Sequence, residues 1–150
     1  MGDHAGNIVK SYLADTSVFK GASLTPIAYI DGDFIPGSFY AECVLVHEAS
    51  EGSPPEHCHE DFDEIVMFFG TDPERPHDLC GEVEWWMGEE KYVLTESCMI
   101  FVPKGLKHCP LYFRRVDRPI LNVSTGPSKS YHRDGIEGLS PDAGRQAQGR

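Results

Sequence analysis

The sequence lacks any apolar run that is long enough to cross a membrane. A membrane-spanning helix needs roughly 20 consecutive apolar residues, and none of the 150 residues lies in such a run. The first ten residues, MGDHAGNIVK, also lack the apolar core of a signal peptide. We therefore expect a cytoplasmic protein that contacts no membrane.

Positive charge is also scarce. The chain carries 13 Lys and Arg against 24 Asp and Glu, which gives a net charge of −11. Binding to nucleic acid requires a basic face that neutralises phosphates. The basic residues near KGLKHCPLYFRR form only a short run, mixed with apolar residues. We expect no nucleic-acid partner.

Paired cysteines are absent as well. The five cysteines include no C-x-x-C spacing, and their number is odd. These features predict neither a disulfide framework nor a zinc ribbon, and they favour reduced thiols.

Helical periodicity is weak throughout, whereas alternation of apolar and polar residues is frequent. The segment GEVEWWMG, for example, places Val83, Trp85 and Met87 on one face of a strand. Turn residues separate several such segments, and the 15 Gly and 11 Pro favour many short elements. The pattern predicts an all-β domain, an antiparallel barrel or sandwich, over residues 24–126. An N-terminal arm is predicted over 1–23, and a flexible C-terminal tail over 127–150.

The segment PPEHCHEDFDEIVMFFG combines two histidines with five carboxylates. His57 and His59 are two residues apart, so in extended chain both imidazoles lie on one face, where they could share a cation. Cys58 then points the other way. His108 follows a Pro–Gly turn after another apolar strand and could supply a third imidazole. Taken alone, an H-x-H pair is more often a chance surface feature than a ligand pair.

Together the two segments resemble the motifs of the cupin family. The first family motif, G-x5-H-x-H-x3,4-E-x6-G, is similar to the positions of Gly52, His57, His59, Glu64 and Gly70. The second, G-x5-P-x-G-x2-H-x3-N, is similar to Pro103, Gly105 and His108, although its first glycine is missing and Tyr112 replaces the asparagine. The resemblance implies a small antiparallel β-barrel or jelly roll. It also implies one divalent metal held by three histidines and a glutamate.

The identity of the carboxylate ligand is open on spacing alone. Asp63 shares the strand parity of His57 and His59, whereas Glu64 is the residue type that the family uses. Glutamate also has the longer side chain. We favour Glu64.

Aromatic residues are candidates for the wall of a substrate cavity. In a barrel, inward aromatic side chains line the cavity beside the metal, and we assign Phe68, Trp85 and Tyr112 to this role. Tyr112 is also our candidate for a catalytic acid. Alternation along the strand directs Cys109 away from the metal.

The resemblance leaves several functions open, because cupins include dioxygenases, decarboxylases, isomerases and non-catalytic binders. We expect a metal-dependent dioxygenase that acts on a small enolisable, phenolic or carboxylic substrate. A decarboxylase, another lyase or an isomerase at the same site is the alternative, and a non-catalytic ligand binder is the third possibility. Fe(II) or Mn(II) is favoured, with Zn(II) or Ni(II) as further options. Unpaired sheet edges and the N-terminal arm favour a homodimer.

Overall fold

The protein is built from β-strands. The structure, a computed structural model, describes residues 4–19 and 23–135. In these ranges it contains eight strands, two short 3₁₀ segments and no α-helix, which confirms the all-β prediction. The strands are β1 Leu24–Ile30, β2 Tyr40–Val46, β3 Glu64–Gly70, β4 Asp78–Met87, β5 Glu90–Glu96, β6 Cys98–Val102, β7 His108–Val116 and β8 Ile120–Gly126.

The strands form two antiparallel sheets. One has the order β1-β2-β8-β3-β6 and the other the order β5-β4-β7. Strands β5 and β6, adjacent in the chain, belong to different sheets. The chain changes sheet at Ser97, whose backbone N–H donates to the carbonyl of His77 and whose hydroxyl donates to that of Pro76. Among the described residues no strand pairing joins one sheet to the other, so the arrangement is a jelly-roll sandwich of two sheets.

The hydrophobic core lies between the two sheets. Phe68 of one sheet packs with Trp85 and Phe113 of the other, and all three side chains are buried. The alternation predicted for β4 is confirmed at Val83 and Trp85, which are 0% and 2% exposed. Burial of each such large side chain contributes about 1.5–3 kcal/mol. This core lies beneath a group of buried polar residues at one end of the sandwich.

A glycine allows two strands to approach each other at the edge of this core. A Cβ atom on Gly70 would lie 1.9 Å from the carbonyl oxygen of Asp78. No other residue fits at this position without moving backbone. The last glycine of the first sequence motif therefore has a packing role here.

The segments that flank the strands lie against the sheets. In the N-terminal segment Tyr12 forms a bridge with Tyr29 of β1, and its hydroxyl donates to Glu42 of β2. The sequence predicts a flexible tail from residue 127, but the structure buries His132 and Asp134 against the sandwich. Residues 136–150 of that predicted tail lie outside the described residues. In the described ranges no helix is long and apolar enough to span a membrane.

Candidate metal centre

Three histidines converge at one end of the sandwich. The side chains of His57, His59 and His108 are 1%, 2% and 1% exposed, and each has a nitrogen within 4.8 Å of the other two. The backbones of His57 and His108 pair directly: each N–H donates to the other's carbonyl, at 3.1 and 2.8 Å. The two sequence segments that carry the motifs therefore meet in space, as the resemblance implies.

The Pro–Gly turn before His108 fixes the approach of the second segment. Gly105 has φ of +82°, a conformation that favours glycine, and its N–H donates to the carbonyl of His59 at 2.8 Å. The N–H of Leu106 closes the turn by donating to the carbonyl of Pro103 at 3.1 Å. This turn ties the His108 segment to the His59 segment.

Each imidazole is oriented by a main-chain oxygen. The Nδ1 atoms of His57, His59 and His108 lie 2.7, 2.6 and 3.0 Å from the carbonyl oxygens of Pro55, His132 and Leu106. Because a carbonyl can only accept, each Nδ1 carries the proton and each Nε2 has a free lone pair. All three Nε2 atoms are buried and have no hydrogen-bond partner among the described residues.

Glu64 is the carboxylate that faces the histidines. It is 3% exposed, and its Oε1 lies 3.3 Å from His59 Nε2 and 3.4 Å from His108 Nε2. Its Oε2 accepts a hydrogen bond from the Tyr40 hydroxyl at 2.6 Å. Burial on its own would raise the pKa of Glu64, but that pKa is held below its ordinary value, in part by the hydrogen bond from Tyr40.

Asp63 takes no part in this cluster. Its Oδ1 accepts the backbone N–H of Lys104 at 2.9 Å, and the residue is only half-buried. Strand parity counted from the histidines favours Asp63, but the chain bends at Glu60 and Asp61 before β3 begins at Glu64. The bends break the alternation and turn Glu64 toward the imidazoles.

The donor set fits a divalent transition metal. Two ligand atoms, each about 2.1 Å from one ion, lie roughly 3.0–3.4 Å apart in octahedral or tetrahedral geometry, close to the separations between Glu64 and the imidazoles. Burial, followed by the charges of His108 and Arg133, lowers the pKa of His57 to about 2. His57 is therefore neutral near pH 7, which is the form that binds metals. A cation would also give the three buried Nε2 atoms the partner they lack.

A cavity of about 90 Å³ adjoins this cluster and is lined by His57, Glu64 and His108 together with Trp85. It shares Glu42, Pro54, Leu111, Asn122 and Arg133 with a groove of about 570 Å³. The cavity therefore adjoins this groove. A small molecule could reach the imidazoles by that route.

The three residues predicted to line the cavity lie in three different places. Trp85 lines the cavity, with its ring 5.7 Å from that of His108, as predicted. Phe68 is fully buried in the core behind Trp85 and does not line the cavity. Tyr112 lies outside the cavity. The guanidinium of Arg114 covers the Tyr112 ring, 4.0 Å from the ring centre. Tyr112 therefore does not line this cavity, and its assignment as a catalytic acid stays a prediction.

A bulge in β7 explains the error at Tyr112. Trp85 pairs with Leu111, and Met87 pairs with His108, so three steps along β7 match two along β4. One extra residue inverts the alternation. As a result Leu111 and Phe113 face inward while Tyr112 does not. The same bulge brings Cys109, expected on the opposite face, to the cavity wall.

Several site residues carried no recognisable sequence signal. Tyr40 belongs to a predicted strand, but alternation alone does not link it to Glu64. Tyr131 and Arg133 line the cavity, and the carbonyl of His132 orients His59, yet all three lie in the segment predicted to be a tail. That segment lacks the alternation of apolar and polar residues that marks a strand.

Comparisons with known proteins agree with this architecture. No family model matches the chain, and no curated relative matches it either. Among solved structures, an oxalate oxidase in complex with glycolate matches with a TM-score of 0.55 and 17% identity, over 86% of this chain and 62% of its own. Peruvianin-I, a cysteine peptidase from Thevetia peruviana latex, matches with a TM-score of 0.58 and 15% identity, over 93% and 82%.

The chain has a cupin fold. It spans less than two thirds of the oxalate oxidase chain, and at these identities the likeness concerns the fold alone. The cupin fold places the histidine cluster inside one end of a jelly roll. Within this fold the chain carries a histidine-rich site that could hold a metal ion.

Proposed function

We propose that this chain is a metal-dependent enzyme that acts on a small organic acid, with the ion held by His57, His59, Glu64 and His108. The observation that carries the proposal is the set of three buried, unpartnered Nε2 atoms beside a buried carboxylate. A buried polar atom without a partner costs free energy. A site that leaves three such atoms together is best explained by a ligand that binds all three.

The ion would supply one of two chemistries. Fe(II) or Mn(II) could pass electrons to dioxygen, whereas Zn(II) could only polarise a substrate oxygen. We favour Fe(II) or Mn(II) and a dioxygenase reaction. Imidazole with one carboxylate suits these ions.

The protein's own residues would bind and shield the substrate. Arg133 lines the cavity, and its charge lowers the pKa of the nearby His57. The same charge would attract a carboxylate. Trp85 closes one wall, and its buried Nε1–H has no hydrogen-bond partner among the described residues, so it could donate to a substrate oxygen.

The size of the cavity favours a small substrate. The space of about 90 Å³ beside the histidines suits the reacting end of a small molecule. The oxalate oxidase with a similar fold was solved with glycolate, a molecule of this size. We therefore infer a substrate with a short carbon chain and one or two carboxylates.

A non-oxidative lyase or isomerase is the alternative function. Such a reaction needs a proton donor at the cavity, and Tyr131 replaces Tyr112 as the candidate. Its ring lies 5.2 Å from that of His59, it lines the cavity, and its hydroxyl accepts from Arg133 Nε at 3.2 Å. A binder without catalysis would use the same cavity and remains the third possibility.

Cysteine chemistry is not favoured, although one protein of similar fold is a cysteine peptidase. Cys109 is the cysteine at the cavity wall. Burial raises the pKa of its thiol to about 12. A nucleophile must be a thiolate near neutral pH, and Cys109 is not.

We also propose a cytoplasmic location and a homodimer. The five cysteines are all free, which suits a reducing compartment. Strand β6 is an edge of the five-stranded sheet, and its outer face exposes Met99 and Phe101. A second copy of the chain would cover this face.

Reconstitution of the metal-free protein separates the proposed reactions. We would load it anaerobically with Fe(II), Mn(II) or Zn(II) and add short hydroxy and keto acids, with oxalate and glycolate among them. A dioxygenase should consume dioxygen only with the redox-active ions. If the zinc form makes as much product without oxygen, the dioxygenase is excluded and the lyase is the better assignment. No turnover under any condition, together with saturable binding of an acid, would leave the binder.

A further inference from the structure

A second group of ligand-type side chains lies next to the metal centre. His132 Nε2 is 3.3 Å from Asp61 Oδ2 and 3.4 Å from Asp134 Oδ2. His132 and Asp134 are 4% and 6% exposed, whereas the Asp61 side chain is 72% exposed. One face of the group is therefore open to solvent.

These contacts are not hydrogen bonds. The Nε2 of His132 is buried and has no hydrogen-bond partner among the described residues, although both oxygens lie within reach. The direction of the ring N–H therefore does not suit either oxygen. Its Nδ1 is also without a partner among these residues. A buried imidazole nitrogen within 3.4 Å of two carboxylate oxygens is positioned to share a cation with them.

The distances within this second group suit a cation. Separations of 3.3 and 3.4 Å again match those of two ligands that are each about 2.1 Å from one ion. One imidazole and two carboxylates form a donor set that suits Zn(II) or Mn(II), with water at the remaining positions. Asp134 is held in place by the backbone N–H of Glu60, which donates to its Oδ2 at 3.1 Å.

The backbone around this group is fixed as well. Cys58 and Asp134 exchange two main-chain hydrogen bonds, of 2.9 and 2.8 Å, and the carbonyl of His132 accepts from His59 Nδ1. The second group therefore belongs to the ordered part of the molecule and lies directly behind one imidazole of the first. Its ligand atoms form a group separate from His57, His59 and His108.

We propose that Asp61, His132 and Asp134 form a second divalent-cation site, which an ion enters from solvent past Asp61. The site is independent of the reaction proposed above. It requires neither the substrate cavity nor turnover. An ion bound there would fasten residues 131–135 to the segment that carries His59.

Counting zinc ions in the full-length protein tests this site. Metal-depleted protein would be titrated with Zn(II) and examined by native mass spectrometry, with two ions expected per chain at saturation. Asp61→Asn should weaken the binding of one ion by more than the roughly 10–100-fold loss typical of outer-shell changes. Glu60→Gln is the matched control, because Glu60 is also exposed and loses the same charge. It should retain both ions.

A variant of the first site separates this proposal from the proposed function. His108→Ala should lose one ion and keep the one that depends on Asp61. One ion per chain in the wild-type protein, unaffected by Asp61→Asn, would overturn the second site and leave the first intact. Two ions that both persist in Asp61→Asn and in Asp134→Asn would place the second ion elsewhere and also overturn it.

Discussion

The Nδ1–H of His59 donates to the carbonyl oxygen of His132, 2.6 Å away, from a part of the chain 73 residues distant. This bond fixes the tautomer of His59 and directs its Nε2 toward His57 and His108. An imidazole with a fixed tautomer and a buried lone pair is prepared to bind a metal. The effect of removing the His59 imidazole can be measured.

His59→Ala should remove most of the metal bound at the site of His57, His59, Glu64 and His108, because that site loses one imidazole and gains an empty space. Metal content would be measured by mass spectrometry of the native protein. His47→Ala is the matched control, since His47 is exposed and lies outside the cluster. Full occupancy in His59→Ala would contradict the assignment of this histidine.

Glu64→Gln should weaken metal binding, whereas Asp63→Asn should not. Both changes remove one negative charge from adjacent residues and nearly preserve shape. Only Glu64 faces the imidazoles; Asp63 accepts from the backbone of Lys104. Metal dissociation constants of the two variants would be compared by competition with a chelator. The reverse order would identify Asp63 as the ligand.

Tyr40→Phe should lower metal affinity by about 10–100-fold, the usual cost of losing an outer-shell partner. The change removes the hydrogen bond to Glu64 Oε2 and leaves the ring in place. Tyr29→Phe is a matched control, because its hydroxyl also donates to a buried carboxylate, that of Asp31. An equal loss of affinity in both variants would show a general effect of structure.

The sequence predicts the inward positions of a strand better than it predicts the residues that line the cavity. Alternation correctly placed Val83 and Trp85 inward, because it reports which face of a strand meets the core. It failed at Tyr112, because the bulge between Leu111 and His108 adds a residue that no local pattern marks. It could not reach His132, whose position depends on a hydrogen bond with His59, 73 positions away.

Asp72→Asn should destabilise the protein at neutral pH and have less effect in acid. Asp72 accepts from the backbone of Glu74 and from Arg75 and also pairs with Arg118, so its pKa lies below the ordinary value. A depressed pKa contributes stability above the pKa of the unfolded chain, about 4, and that contribution disappears as the pH falls through the folded value. Thermal melts of both proteins at pH 7 and pH 3 would show a smaller difference in Tm at pH 3. An unchanged difference would assign the effect to packing.

Phe101→Lys should convert the proposed dimer into monomers. Phe101 is 60% exposed on edge strand β6, near Phe39 and Ile65, and a charge there would oppose burial against a second copy. Val93→Lys on β5 is the control, since Val93 is similarly exposed on the other sheet. Sedimentation velocity would give the masses. A dimer that survives Phe101→Lys would have to use another surface.

Every imidazole of the metal centre takes its orientation from a peptide group. Peptide carbonyls are present whichever amino acid occupies positions 55, 106 and 132, so the geometry depends on the path of the chain more than on side-chain identity. A centre oriented by Asp or Glu side chains would fail after a single codon change at any of them. This centre can therefore tolerate sequence drift around its ligands, and a search for conserved polar neighbours would overlook the groups that hold it.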